Sequence, residues 1–476
     1  MEIEIIKKLI QQHEAGRSAF LRAAETADRY YRNMPDIIRR ERRKDRVEQS
    51  IRNADNRIPF NFYGLLVNQK ASYTFTTPPV FDIGDEENNK RLDRLLGDEY
   101  DKVCKDLCVD ASNASVAWLH VWKDGDRIEY AEVPANQIIP VWDNNLKRKL
   151  YGVFRTYRQL DEEDGQYYNV YEYWNDTSVS AYRVKTDATL NELTPYYMFI
   201  EQPAGTASNT YEHGIGEVPF FPFNNNNIGT TDLVNVKELI DSYCKVYSGF
   251  MDDLEDIQEV ILILTNYSGQ DPEEFLNDLK YYKIIKTENY GDGDKSGVDT
   301  LSIQIPVDAR EKMLELTRKC IFEQGQGIDP DPQNFGNSSG VALKYLYSLL
   351  ELKAGLLETE FRLSFGQFIR CMCRLAGIPI KDDTILQTWT RTSVNNDQEL
   401  AQIAQQSEGI LSKRAILSHH PWVDDVQQEL DAQEMEQEEQ AKQDSLYSQL
   451  FNPRTENTGE TGGQVINDEE PPVLEG

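Results

Sequence analysis

Between Phe223 and Gly377 the chain sets five things in a row: an acidic helix, a compact strand-rich insert, a second helix, a loop dense in Pro, Gly, Asn and Ser, and a long helix with an apolar stripe. That order does not read as an enzyme. It describes two helices side by side, with a small structured plug at one end and a flexible loop at the other. The lead-in Phe223-Asn224-Asn225-Asn226-Asn227-Ile228-Gly229 breaks helix, because Asn and Gly favour turns and left-handed backbone. Thr231-Asp232-Leu233 then opens a helix by N-capping logic. Leu233, Val236, Leu239, Ile240, Tyr243, Tyr247 and Phe250 follow at helical spacing, and Asp252, Asp253, Glu255, Asp256 and Glu259 crowd its end.

The insert over 261–305 reads as small and αβ. Ile261–Leu264, Tyr282–Ile285 and Leu301–Gln304 are expected strands, with a short helix from Pro272 and a hairpin at Asp292–Gly297. Asp308 with Glu311 predicts a capping box for a helix running to about Gln324. Gly325 to Gly340 holds too many breakers for helix. From Val341 the positions Leu343, Leu346, Leu350, Ala354, Leu357, Phe361, Phe365 and Phe368 recur three or four apart, so one long helix is expected to about Leu375.

Before this segment, residues 1–50 read as helical with few breakers. A helix is expected from near Pro59 to before Pro78-Pro79, and another over 85–111. Residues 115–223 alternate or run apolar, with aromatic and β-branched residues between turn signals such as Asp124-Gly125 and Asp143-Asn144, which predicts a mostly antiparallel β region. After the long helix, 395–451 reads as helical with a break at His419-His420-Pro421, and 452–476 as disordered.

The 476 residues are roughly three domains' worth of chain. They carry 50 Lys/Arg against 81 Asp/Glu, a formal net charge of −31. Such acidity serves solubility. It also argues against a tight grip on nucleic acid, since phosphate binding runs on Lys and Arg. It does not argue against a surface that nucleic acid slides past. The charge is uneven: 1–57 carries 14 Lys/Arg against 10 Asp/Glu, and 397–476 carries 4 against 18. The basic run Arg39-Arg40-Glu41-Arg42-Arg43-Lys44 is open to two readings, a contact with nucleic acid or an acidic partner and a solvated helix face. The six cysteines lack paired CxxC motifs and read as reduced thiols. Met1-Glu2-Ile3-Glu4 does not open a signal peptide, and no apolar run approaches a membrane span.

Catalytic and metal motifs are not expected. No Walker A or HExxH occurs. Asp292–Gly297 matches the first half of an EF-hand loop, but Ile303 stands where the bidentate Glu belongs, so a hairpin turn is the better reading. His419 and His420 are adjacent, with no further His or Cys near, and Asp252/Asp253 and Asp424/Asp425 are pairs of a kind an acidic chain produces by chance. Neither a cofactor nor a metal is expected.

Several segments together resemble the portal (head–tail connector) proteins of tailed bacteriophages, specifically long-tailed phages of Gram-positive hosts. They are Asn56-Arg57-Ile58-Pro59-Phe60-Asn61-Phe62-Tyr63 with Val67–Tyr73, Gly216–Asn225 with Leu239–Tyr243, Ser248 with Asp253-Leu254-Glu255, Ser339–Lys344, and Ile410-Leu411-Ser412 with Pro421–Asp425 and Glu429. They keep the family's order over roughly 25–440. Two departures affect local turns: the family usually has Gly near Thr76 and often near Ser115.

The resemblance implies an α+β portal-type fold and a ring, commonly a dodecamer, through which double-stranded DNA is packaged, retained and ejected. It implies a wing over 1–230, a stem helix 231–260, a clip 261–305, a second stem helix 306–326 and a tunnel loop 327–340. A long wing helix and following segment would occupy 341–394, and a crown 395–451. Asp241, Asp252, Asp256 and Glu259 lie at helical spacing and are expected to line the DNA channel. Asp329, Asp331, Gln333, Asn334 and Asn337 would sit on the tunnel loop. The implied partners are other copies of the chain, a terminase motor, a head-completion or tail adaptor, and capsid and scaffold proteins, in a virion assembled in host cytoplasm, with no membrane. The residues fit this independently. Segment 232–260 holds 8 acidic against 2 basic residues, and repeated around a ring it would repel DNA close to the wall, within a screening length of about 8 Å. Two other readings stand beside it: a virion structural protein that never meets DNA, and a carboxylate-dependent hydrolase.

Overall fold

A computed structural model describes residues 2–41, 54–125, 127–201, 205–257, 261–265, 271, 297–301, 306–330 and 340–391, with parts of 403–442. It falls into two units, Met1–Val394 and Asn395–Gly476. In the second unit the described pieces include a helix at Lys413–Leu417. His419, His420 and 452–476 lie outside the described residues.

Among the described residues 2–41 the amino-terminal helical region is three helices: α1 (Ile3–Glu14), α2 (Arg17–Tyr31) and α3 (Asp36–Arg39). Gly16 at φ 84° and Asn33 at φ 58° turn the chain left-handed between them. α4 (Phe62–Thr74) begins where the Asn61 side chain accepts a hydrogen bond from the Gly64 N–H at 3.0 Å. The helix expected over 85–111 is split by Gly97, at φ 69°, into α5 (Glu86–Leu96) and α6 (Tyr100–Ala114). α6 ends at Ser115, which holds φ 65°. A left-handed conformation costs a non-glycine residue roughly 1–2 kcal/mol, a strain that glycine would not carry here.

The β region is antiparallel throughout, as its alternation predicts. It follows a short strand β1 (Val80–Asp82) and runs β2 (Val116–Asp124), β3 (Arg127–Val133), β4 (Ile138–Trp142), β5 (Leu150–Leu160), β6 (Tyr167–Trp174), β7 (Ser178–Lys185), β8 (Thr194–Pro195), β9 (Phe199–Glu201), β10 (Thr206–Ser208), β11 (Thr210–Glu212) and β12 (Phe220–Asn224). One sheet has the order β11-β7-β6-β5-β4, with β8 on β7, and a second the order β12-β2-β3. β12 closes the second sheet on β2, with Phe221 opposite Leu119 and Phe223 opposite Ala117.

After β12 the described elements of the first unit include α7 (Lys237–Ile257), β13 (Ile261–Thr265), β14 (Gly297–Leu301), α8 (Val307–Gly325), α9 (Gly340–Ala376) and β15 (Leu386–Thr388). β13 is the expected first strand of the insert. Its antiparallel partner is Gly297–Leu301, and 302–304 of the expected strand 301–304 lie outside the described residues. The expected strand 282–285, the helix from Pro272 and hairpin residues 292–296 lie outside the described residues. α8 does not start with a capping box: its cap is Pro306, which makes no side-chain cap bond, and Asp308 lies inside the first turn. α9 follows the expected span. Leu350 and Ala354 are buried, and Leu357, Phe361, Phe365 and Phe368 share one core with Phe75, Phe81, Phe221 and Phe223. Fully burying each such side chain contributes about 1.5–3 kcal/mol. Sequence reading did not anticipate β1, which pairs with β15 and ties the segment after α9 to Phe81.

A second core joins α2, α4, α7 and α8 through Tyr30, Tyr63, Leu66, Val67, Ile240, Cys244, Ile321 and Phe322. On the far side of α6, the half-buried Glu132 of β3 faces Asp106 and Asp110. Burial, and then these two carboxylates, push its pKa up to about 8 against a smaller opposing effect of Lys102. A folded pKa raised in this way means that stability falls as pH rises from the ordinary glutamate range to about 8. Glu132→Gln is therefore expected to raise the thermal midpoint more at pH 9 than at pH 5. Equal gains at both pH values would contradict this origin.

Candidate functional site

α7 and α8 lie side by side, tied by an ion pair between Arg310 and Asp253, and the Arg310 guanidinium sits over the Phe250 ring. The other face of α7 meets residues 56–58. Ser248 and Asp252 lie one turn apart. The Ser248 hydroxyl accepts from the Ile58 N–H at 3.0 Å, and the Asp252 carboxylate accepts from the Asn56 N–H at 2.6 Å and from its side-chain amide at 3.1 Å. Two motifs far apart in sequence, Asn56–Tyr63 and Ser248–Glu255, thus form one contact.

This contact fixes the placement of the expected wall residues. Asp252 is buried within the chain and holds Asn56. Asp241 is half-buried and accepts from Lys237 at 2.7 Å and from the Tyr30 hydroxyl at 2.5 Å. Burial alone would lower the Lys237 pKa, but the bonds to Asp241 and Asp36 outweigh it and raise the value. Asp256 continues α7, and its side chain lies outside the described residues, as does all of Glu259.

Below this pair sits a buried charged junction. The Lys70 ammonium of α4 donates to Asp232 at 3.0 Å, Asn225 at 2.5 Å and the Ser112 hydroxyl at 3.1 Å. The Lys353 ammonium of α9 lies 3.0 Å from the same Asp232 oxygen and donates to the Gly325 carbonyl at the end of α8 at 2.9 Å. The Asn225 amide donates to the other Asp232 oxygen at 2.8 Å. Burial would raise the Asp232 pKa, yet Lys353 and Lys70 hold it far below the usual carboxylate range. Burial lowers the pKa of Lys353 in spite of Asp232. The excess positive charge is met in part by the negative end of the α8 dipole, whose last carbonyls Lys353 reaches. Asp232 therefore does not cap a helix from outside, as capping logic suggests. It opens a 3-10 turn, Asp232–Asn235, and points into the junction.

The chain leaving α8 is latched at three points. Lys353 holds Gly325. The Gln69 side chain donates to the Ile328 carbonyl at 2.7 Å and accepts from its N–H at 2.9 Å. Arg318 grips Asp329, with Nη2 2.6 Å from one carboxylate oxygen. Gly327 is required by close approach, since a Cβ there would come 2.2 Å from a Leu66 methyl. Of the expected loop residues, Asp329 serves this latch. Asp331, Gln333, Asn334 and Asn337 lie outside the described residues.

Sequence reasoning missed Lys70, Gln69 and Lys353. Their signal was a polar side chain inside an apolar helical stripe: Lys70 follows Leu66 and Val67, and Lys353 falls between Leu350 and Ala354. Among the described residues no three His, Cys, Asp or Glu side chains are grouped to hold a metal ion, and no described helix is long and apolar enough to cross a membrane.

Known proteins similar to this chain agree on one family. The family model for phage portal proteins of the SPP1 Gp6-like type matches residues 10–443. The portal protein of Clostridium phage phiCD119 is 41% identical over 471 residues, covering 96% of this chain and 100% of that protein. The portal protein of Bacillus phage SPP1 is 31% identical over 443 residues, covering 90% of this chain and 84% of that protein. Among solved structures, a chain from the neck of a native gene transfer agent (GTA) particle, computed with C12 symmetry, is 12% identical with a TM-score of 0.40, covering 76% of this chain and 89% of that one. The neck of an empty GTA particle gives 10% and 0.39, covering 75% of this chain and 88% of that one. At these scores neither structural likeness carries an argument. Family model and sequence relatives together place the chain in the SPP1 Gp6-like family of phage portal proteins.

Proposed function

We propose that copies of this chain form a ring, a dodecamer as is common in the family, at one capsid vertex. Double-stranded DNA enters the head through the ring, is held there and leaves through it. The single observation that supports this most is the 41% identity to a phage portal protein along that protein's whole length. The ring assembles in host cytoplasm and becomes part of the virion. It meets a terminase motor, a head-completion or tail adaptor, the capsid and the scaffold. The chain is structural, and the energy for translocation comes from the separate motor.

Within a copy, 1–230 and 341–394 make the wing, 231–260 and 306–326 the stem, 261–305 the clip and 395–451 the crown. Residues 327–340 form a tunnel loop that offers Asp331, Gln333, Asn334 and Asn337 to DNA, while Asp329 anchors its base on Arg318. Asp256 and Glu259 face the channel, while Asp241, whose carboxylate is taken up by Lys237 and Tyr30, lends its charge from within the wall. Asp252 adds its charge from behind the wall, because its carboxylate is engaged with Asn56. A negative wall repels the phosphates and lets DNA slide, whereas a basic lining would gain affinity with each phosphate contact and hold it.

The test is charge reversal at Asp256 and Glu259 together. Rings are expected to assemble as before and packaged DNA to fall severalfold. Unchanged packaging in intact rings would count against the acidic wall. Rings with no axial opening would favour instead a virion protein that never meets DNA.

A further inference from the structure

α9 is apolar on both sides. Opposite the face packed into the core, Tyr345, Leu349, Leu352 and Leu356 follow one another at spacings of four, three and four, and Leu363 lies one heptad on. All five are between 38 and 77% exposed. An exposed apolar row of this length on a helix whose opposite face is already in the core marks a contact surface, and it lacks its cover within the first unit. α8 carries a second exposed row with the same four-three-four spacing: Ala309, Met313, Leu316 and Cys320. The two rows are both exposed in one copy, so they do not cover each other there.

We propose that the α9 row of one copy packs on the α8 row of a neighbouring copy, with the helices antiparallel. This rests on the ring reading above and names the contact that closes it. Heptad-spaced rows of equal length interdigitate as a short coiled-coil seam. The antiparallel sense is set by the flanks. Beside the α9 row stand the small Ser348 and Gly355, with Glu351 and Glu358 behind them, both ion-paired with Arg391; a Cβ on Gly355 would meet nothing within 4 Å. On the corresponding side of the α8 row stand Lys312 and Lys319, both largely exposed. Antiparallel packing sets these lysines, which pair along their own helix with Glu315 and Glu323, over the space left by the small residues Ser348 and Gly355. Parallel packing would turn them toward the buried side of α9. Because the two rows differ, the contact is heterologous and repeats from copy to copy until the ring closes.

Antiparallel register sets Tyr345 opposite Cys320, Leu349 opposite Leu316, Leu352 opposite Met313 and Leu356 opposite Ala309. Cys320 is the exposed cysteine of the six; the other five are buried. The full chain carrying Tyr345→Cys, mildly oxidised, is expected to give a ladder of disulfide-linked multimers. The ladder should be at least tenfold stronger than with Leu356→Cys and absent when Cys320→Ser is added. A second variant, Leu352→Glu, changes an exposed residue, so the copy should keep its thermal midpoint while rings are lost. The same samples are imaged by electron microscopy. Wild-type rings with no ladder, a ladder from Leu356→Cys instead, or a cross-link within single chains would each overturn this contact and leave the ring standing. They would point to another cover for α9, such as residues 395–476. Absence of rings in the wild type would overturn the reading on which the contact rests.

Discussion

Asp232→Ala is expected to destabilise the chain by about 3–5 kcal/mol, because it leaves Lys70 and Lys353 buried without their shared counter-ion. Few single changes reach that size, and the reason is geometric. One carboxylate serves two ammonium groups and an amide, and the three elements that supply them meet the end of α8 at the same point. The loss is read from denaturant unfolding. The triple variant Asp232→Ala, Lys70→Met, Lys353→Met removes the charges together and is expected to regain most of it, since an apolar replacement of a whole buried ionic set is often neutral. The pH dependence has a definite sign. Asp232 is held below its ordinary value, so its contribution is complete above the usual carboxylate range and fades only as pH falls toward its folded value. Lys353 is lowered, so the chain gains stability as pH rises from its folded value toward the ordinary lysine range. An Asp232→Ala variant as stable as its parent would remove the junction from the account.

Asp252→Lys is expected to cost a similar amount, about 3–5 kcal/mol, by placing a cation against the two N–H donors of Asn56 in a buried site. The local sign is release of residues 56–58 from α7. The amides of Asn56 and Ile58, now bonded to Asp252 and Ser248, should exchange with solvent much faster. Asp252→Asn keeps the shape and one acceptor, and should cost only about 1–2 kcal/mol. This separates two meanings of acidity on one helix. Lost packaging in Asp252→Lys would report a damaged protomer, whereas lost packaging at Asp256 with intact rings would report the wall. If Asp252→Lys left both stability and exchange unchanged, its carboxylate would not be the inward partner described here.

Much of the architecture was legible because each part carries its own period. The β region alternates and is antiparallel, and the stripe from Leu350 to Phe368 is the buried face of α9. The helix breaks at Gly16 and Gly97 were also written in the chain, as glycines in otherwise helical stretches, but glycine there is compatible with either a break or a continued helix. Helical spacing places residues on one face without saying what that face meets. Asp241 and Asp252 therefore read as wall charges, although Lys237, Tyr30 and Asn56 take up their carboxylates. The Lys70–Asp232–Lys353 junction was illegible for a related reason. Its members are 162 and 121 residues apart in sequence, and only the packing of α4 and α9 around the 3-10 turn at Asp232 brings them to one point. The Asn56 and Ser248 motifs were recognised singly, and their hydrogen bonds explain why they occur together.

The most direct test of the account is electron microscopy of the purified full chain in negative stain. The account predicts rings with a central opening, built from repeated copies. Compact particles without an axial opening, or a chain that stays monomeric under every assembly condition, would contradict it.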